Sequence, residues 1–452
     1  MWFRRDLRLS DHPALSEAAG SAEEVVPLFV VDPSLWRPAG TARRQYLLNS
    51  LAALDASMGG ALVRRSGNPA ETLVTLAREV GASSVHISAD YGPYGAVRDA
   101  AVERALAEIG VELVRTGSPY AVAPGRVVKS DGTPYRVYTP FYHAWLSHGW
   151  RAPAAMPRSL PWATGLPSDP PPNQDQLGQC ASLDQLPAAG EQAALDRWHH
   201  FHSEALARYA EDRNRPDVDG SSRLSVHLKY GEIHPRTLLA ELGDSPDHEM
   251  FRKELAWREF YADVLHHAPA TAREYLRPEF ATMEYDSGPD ADARLRAWQQ
   301  GQTGYPIVDA GMRQLLHEGW MHNRVRMIVA SFLVKDLHLE WQLGARWFMR
   351  HLVDGDIASN AHGWQWTAGC GTDASPYFRI FNPITQGLRF DPDGDYVRRY
   401  VPELRHVAGA AVHEPWDVAD GYVQGYPERI LDHARERAAS LARYALRGER
   451  FS

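Results

Sequence analysis

Cysteine is nearly absent: Cys180 and Cys370 are the only two in 452 residues. Two thiols cannot build a disulfide framework or supply the four ligands of an iron–sulfur cluster. The Cys and His positions show no zinc spacing either. No apolar run is long enough to cross a bilayer. The N-terminus, MWFRRDLRLSDHPAL, is charged from its fourth residue and has no apolar signal core. A cytoplasmic protein with no membrane partner is the default expectation. Positive charge is not in excess, since the formal net charge is −9. Binding to nucleic acid would therefore need a local basic groove, because phosphate contacts are made by clustered Arg and Lys. No G-x-G-x-x-G follows a strand, and no P-loop, H-E-x-x-H or G-x-S-x-G occurs.

With 44% hydrophobic and 23% charged residues, the chain reads as a globular protein of two or three domains. Residues 1–125 alternate short β-rich runs with helical patterns. VVPLFVVDP (Val25–Pro33), SSVHISAD (Ser83–Asp90) and VELVRTG (Val111–Gly117) predict buried strands, and Met1–Phe3 a short first one. ARRQYLLNSLAALDASM and PAETLVTLAREVG between them predict helices. Such alternation implies an α/β domain with a doubly wound parallel sheet. Residues 126–190 are rich in Pro, Gly and polar groups and read as a linker wrapped over the surface. Residues 191–452 are mostly helical in period.

The segment Asp354–Trp366, DGDIASNAHGWQW, crowds two acids, an asparagine and two of the chain's 14 tryptophans into one stretch. Acids and amides suit a polar ligand, and indoles suit stacking or electron transfer. A site needing both is more often redox or light-driven than hydrolytic, although most Trp residues simply fill core. In FRKELAWREFYADVLHH, residues Glu254, Trp257, Arg258 and Tyr261 share one helical face that could line a polar cavity. A salt-bridged helix with an aromatic anchor is the plain alternative. Asn323, Arg326 and Met327 share a face of WMHNRVRMIVASFLVKD. The hydroxyls of DGSSRLS can cap a helix or cradle phosphate. Arg213, Arg223, Lys229, Arg324, Arg379, Arg389, Arg398 and Arg399 supply cations interleaved with aromatics, as a nucleic-acid groove requires.

These segments together resemble the DNA photolyase/cryptochrome family, from WFRRDLRLSDHPAL through DGSSRLS, ELAWREFY, TGYPIVDAGMRQL and WMHNRVRMIVASFLVKDL to DGDIASNAHGWQW and GTDASPYFRIFNP. Within the family the chain is similar to class I cyclobutane pyrimidine dimer photolyases. The resemblance implies an N-terminal antenna domain, a linker and a helical FAD- and DNA-binding domain. It further implies a monomer acting on UV-damaged DNA by electron transfer from light-excited reduced FAD. By motif, Tyr209, Ser221, Ser222, Arg223, Leu224 and Ser225 would hold the FAD phosphates. Arg326 would pair with Asp354 beside the isoalloxazine, Asp354 and Asp356 would hydrogen-bond the ring and ribityl side, and Asn360 would sit by N5. Phe251, where the family often has Trp, and Arg258 complete that set. The flipped dimer would meet Glu254, Trp257, Asn323, Met327 and Trp366, with Glu254 and Asn323 bonding its polar edges. Arg213, Arg324 and Arg379 would bind flanking phosphates.

The same resemblance implies a tryptophan wire, with Trp364 nearest the flavin and Trp341 next. The usual third Trp has no clear counterpart, and Tyr285 is the expected surface donor. DYGPYGAVRD (Asp90–Asp99) lacks the Asn-Glu pair of folate-binding members. It points to 8-hydroxy-5-deazaflavin as antenna, ahead of methenyltetrahydrofolate or an empty pocket. A blue-light cryptochrome and a (6-4) photolyase are the alternatives. Asn360 and the end of the chain soon after the family core argue against the first. Asn323 and Met327, where histidines would be needed for proton transfer, argue against the second.

Overall fold

The computed structural model describes residues 1–157, 159–172, 185–372 and 378–446. Cys180 and the DASPY part of the last motif lie outside the described residues. The N-terminal sheet forms where the sequence is most continuously apolar. β2 (Leu28–Val31, LFVV) is buried along its whole length and pairs in parallel with β1 (Trp2–Phe3) and β3 (Val63–Ser66). β4 (Ser84–Ile87) pairs in parallel with β5 (Glu112–Arg115). The expected single sheet is thus seen as two hydrogen-bonded sheets, β1–β2–β3 and β4–β5, which approach each other where β4 packs beside β1. Helices Pro13–Ser21, Thr41–Ser57, Pro69–Val80 and Pro93–Ala107 connect the strands.

β3 was not expected from its sequence, VRRS. It is an edge strand, where Arg64 and Arg65 can reach water, so it carries no apolar run. The helix Pro93–Ala107 absorbs the second half of DYGPYGAVRD. Gly95 lets that helix approach the preceding loop, because a Cβ there would lie 2.2 Å from Asp90 Cγ. Asp90 and Asp99 both pair with Arg98, at 3.1 and 2.8 Å, and Asp99 also pairs with Arg4 at 2.6 Å. The C-terminal ends of β1 and β4 are thus tied together by internal ion pairs.

From Glu191 onward the described chain is helical. The segment 126–190 also contains a helix, Tyr138–His148, which buries Phe141, Tyr142 and Trp145. It packs on the long helix Pro246–His267, and Trp145 Nε1 donates to Glu259 at 2.6 Å. Its Pro-rich flanks hid this helix from sequence reading. The large C-terminal core is built around Trp298, Tyr305, Phe332, Trp341 and Trp364. Polar bonds lock it to the N-terminal half. Buried Glu232 accepts from Tyr46 at 2.7 Å, Ser50 at 2.5 Å and the Gly190 amide at 2.7 Å, and His227 Nδ1 lies 2.6 Å away. Among the described residues, no helix is long and apolar enough to cross a membrane.

Candidate cofactor and nucleic-acid site

Helix Ile357–Ala368 organises the first half of the site. Asp356 caps it, accepting from the Ala358 and Ser359 amides at 3.1 Å each. The other carboxylate oxygen of Asp356 pairs with Arg5 of the N-terminal half at 2.6 Å. Arg5, Lys229 and Arg258 hold that carboxyl well below the usual range despite its burial. Asp356 is therefore spent largely on the fold, a use the sequence did not reveal. Asp354 is buried, and its Oδ2 accepts from Arg326 at 2.8 Å. Arg326 also donates to the Met321 carbonyl. Asp354 Oδ1 is buried with no hydrogen-bond partner, as expected of an atom aimed at a ligand. Asn360, one turn along the helix, donates its amide to Ala345 O at 3.0 Å. Lys229 is half-buried near both acids, and burial together with Arg5 and Arg43 pushes it down to about 7.

The Ser221–Ser225 loop leads into the short helix Ser225–Tyr230. Arg223 takes a left-handed φ of 52° there, an uncommon conformation for a side chain of its size. Its guanidinium sits 4.5 Å from the Trp320 ring. Arg197, which the motifs did not single out, donates to the carbonyls of Ser221 and Ser222 at 2.8 Å each and so fixes the loop. Leu224 is buried. Tyr209 and Phe251 meet edge to face at 5.4 Å.

The helix Pro246–His267 carries the expected mixed face, and each member has a partner. Glu254 pairs with Arg213 at 2.7 Å. Trp257 stacks on Tyr138, with ring centroids 3.7 Å apart and planes 8° from parallel. Arg258 donates to the carbonyls of Pro119 and Leu228 and lies over Tyr120. Tyr261 stacks on His362. Asn323 begins the helix Asn323–Ser331 and is exposed, whereas Met327 is half-buried one turn on. Trp366 is half-buried, with the Arg379 guanidinium 5.8 Å from its ring. Arg324 donates to Asn214 at 2.7 Å. Burial pushes Arg324 down to about 10, and Arg213, Arg389 and Arg379 add repulsion that Glu254 opposes. Arg213 and Arg324 thus act on Glu254, and Arg379 and Arg389 add to the positive field at Arg324, in a chain of net charge −9. A separate cavity of about 480 Å³ lies under the sheet near Met1, Leu28 and His86, away from all these residues.

Trp364 is 2% exposed and packs edge-on against Phe348 at 5.0 Å. Gly344 makes room for it, since a Cβ at that glycine would lie 2.1 Å from the indole. Trp341 stands one turn before Gly344 on the helix Trp341–His351. Its ring meets Tyr275 edge-on at 6.2 Å, and the Tyr275 hydroxyl faces that of half-buried Tyr285. Burial pushes Tyr275 up to about 12 and, with Tyr275 beside it, Tyr285 higher still. Tyr275 therefore lies between Trp341 and Tyr285, a neighbour that only the fold discloses.

Comparison with known proteins decides the family. Residues 1–159 match the sequence model for DNA photolyase, and residues 251–446 match that for the FAD binding domain of DNA photolyase. The chain is 41% identical over 447 residues to the deoxyribodipyrimidine photo-lyase of Streptomyces griseus, covering 96% of each chain. The chain belongs to the DNA photolyase family. It is an FAD-carrying enzyme of the photo-lyase kind. Its fold matches a crystal structure of a bacterial class III photolyase from Agrobacterium tumefaciens with a TM-score of 0.91, at 40% identity over 99% of this chain and 97% of that one. It also matches a cryptochrome from Synechocystis with a TM-score of 0.89, at 27% identity over 98% of both chains. The donor set fits FAD. The unpartnered Asp354 oxygen suits a ring N–H, and the loop fixed by Arg197 suits phosphates. Among the described residues no His, Cys, Asp and Glu group could hold a metal ion.

Proposed function

We propose that this photolyase repairs cyclobutane pyrimidine dimers in DNA under blue light. The observation that carries this reading is the pairing of Glu254 with Arg213 at 2.7 Å beside Arg324, on the helix that also carries the half-exposed indole of Trp257. Cations clustered at one site suit a polyanion, and the acid beside them suits hydrogen-bonding bases better than phosphate. The residues 1–125 would form the antenna domain, 126–190 the interdomain linker and 191–452 the catalytic domain, acting as a cytoplasmic monomer. The class I placement rests on the motifs and competes with the class III of the Agrobacterium neighbour. The cryptochrome likeness makes photoreception the second reading.

FAD, reduced and bound, supplies the light-driven electron. The chain's own residues do the rest by positioning. Asp354, fixed by Arg326, would orient the ring, with Asn360 by N5 and Asp356 along the ribityl side. Tyr209, Ser221, Ser222, Arg223, Leu224 and Ser225 would hold the phosphates, Phe251 would pack beside them, and Arg258 would brace the same helix. Trp257 and Trp366 would flank the extruded bases and exclude water, and Met327 would floor the cavity. Glu254 and Asn323 would bond the polar edges of the bases. Trp364, Trp341 and Tyr285 would form the reductive wire, extended by Tyr275. An 8-hydroxy-5-deazaflavin antenna would sit by Asp90–Asp99, where β4 packs beside β1. The absorption spectrum of the purified protein tests the pigments: flavin bands are expected, with a second, distinct chromophore band if an antenna is present. A colourless protein would contradict the reading.

A further inference from the structure

In the free protein, a cation expected to take a DNA phosphate is already engaged by the acid expected to meet the lesion. Arg213 follows the short helix Tyr209–Asp212 and places Nη2 2.7 Å from Oε1 of Glu254. Its Nη1 meets Met250 Sδ at 2.6 Å, and its Cζ lies 5.8 Å from the Tyr209 ring. The next cation, Arg324, is itself held by Asn214 at 2.7 Å. A guanidinium binds phosphate best through two parallel N–H groups on one edge. With Nη2 given to Glu254 and Nη1 to Met250, both terminal nitrogens of Arg213 are already engaged.

We propose that Arg213 is a two-position switch, paired with Glu254 in the free protein and moved to a DNA phosphate in the dimer complex, so that Glu254 takes up one proton and donates a hydrogen bond to the extruded bases. The inference rests on the dimer-repair reading. Once Arg213 has left, the groups facing Glu254 are Arg324, itself drawn towards phosphate, and the phenols of Tyr138 and Tyr209. The phenols are neutral, because burial pushes both of them up. The arriving bases displace the remaining water. Burial already raises Glu254 above the ordinary carboxyl range against the opposing pull of Arg213, and losing that cation acts in the same direction. A carboxylate facing carbonyl edges would repel them, whereas a carboxylic acid donates to them. The proton comes from solvent, and no bond in the DNA breaks. Undamaged duplex, which does not extrude bases, leaves the pocket wet and Glu254 ionised.

Proton uptake on binding is the direct readout. FAD-loaded protein would be titrated in the dark with dimer-containing duplex, by calorimetry in buffers of different ionisation enthalpy at pH 6.5 and 7.5. The wild type is expected to take up close to one proton more with dimer duplex than with undamaged duplex. Glu254→Gln should lose this difference. Arg213→Ala, whose Glu254 has no Arg213 to lose on binding, should show a smaller one, and it serves as the second variant should Glu254→Gln fold poorly. If Glu254→Gln matches the wild type in proton count while both still prefer dimer duplex, the switch is wrong and dimer repair stands. If the wild type shows no preference for dimer duplex, both are wrong.

Discussion

Trp257 has one face covered by Tyr138, 3.7 Å away and 8° from parallel, and the half-exposed remainder is what a flat ligand can meet. Offset or stacked aromatic pairs contribute about 1 kcal/mol beyond burial, so the stack holds the indole rather than merely filling space. Tyr138→Leu should weaken binding of dimer duplex about fivefold and leave undamaged duplex unaffected, and Tyr138→Phe should restore the wild-type ratio. Equal weakening for both duplexes, measured by fluorescence anisotropy, would show a general packing role. The sequence offered no hint of Tyr138, because it belongs to a segment whose composition reads as linker. Glu254, Asn360 and Arg326 were legible because long motifs carry them. Arg197 and Tyr275 were not, because their roles arise only from approach across the fold.

At the level of elements, the helices Trp341–His351 and Ile357–Ala368 meet where Gly344 faces Trp364. Gly344→Val would overpack this contact, at about 1–3 kcal/mol. It should lower the denaturation midpoint and also disturb flavin binding, and an unchanged midpoint would show that the indole can shift at no cost. The same helix carries buried His362, which burial alone pushes down to about 4. A histidine with a depressed folded value binds its proton more readily when unfolded. Its stabilising contribution is therefore complete above about pH 6.5 and is lost as pH falls towards 4. The stability gap between wild type and His362→Gln should narrow over that window in urea titrations, and a gap independent of pH would contradict a neutral buried His362. Strands with apolar runs and helices with clear periodicity were readable in the sequence. β3 and the helices Pro13–Ser21, Pro93–Ala107 and Tyr138–His148 were hidden by charge, glycine or flanking proline, which mask amphipathic pattern.

Over the whole molecule, a net charge of −9 coexists with a local cluster of arginines. Association with DNA must therefore be governed by that face and not by the total. Replacing Arg324 by Ala should weaken binding to all duplexes alike and reduce the slope of log K against log salt by about one, and an unchanged slope would remove Arg324 from the phosphate contacts. The two halves act as one frame, since Arg5 reaches Asp356 and Glu232 gathers Tyr46, Ser50 and Gly190. The division into an α/β half and a helical half was legible from alternating periods. The bonds between the halves were not, because single buried polar residues leave no periodic trace. The most direct measurement of dimer repair is the fate of a thymine-dimer duplex mixed with the flavin-reduced protein, followed by loss of the dimer and return of normal thymine absorbance. Restoration under blue light and none in darkness is expected, and an unaltered dimer after prolonged illumination of bound duplex would contradict it.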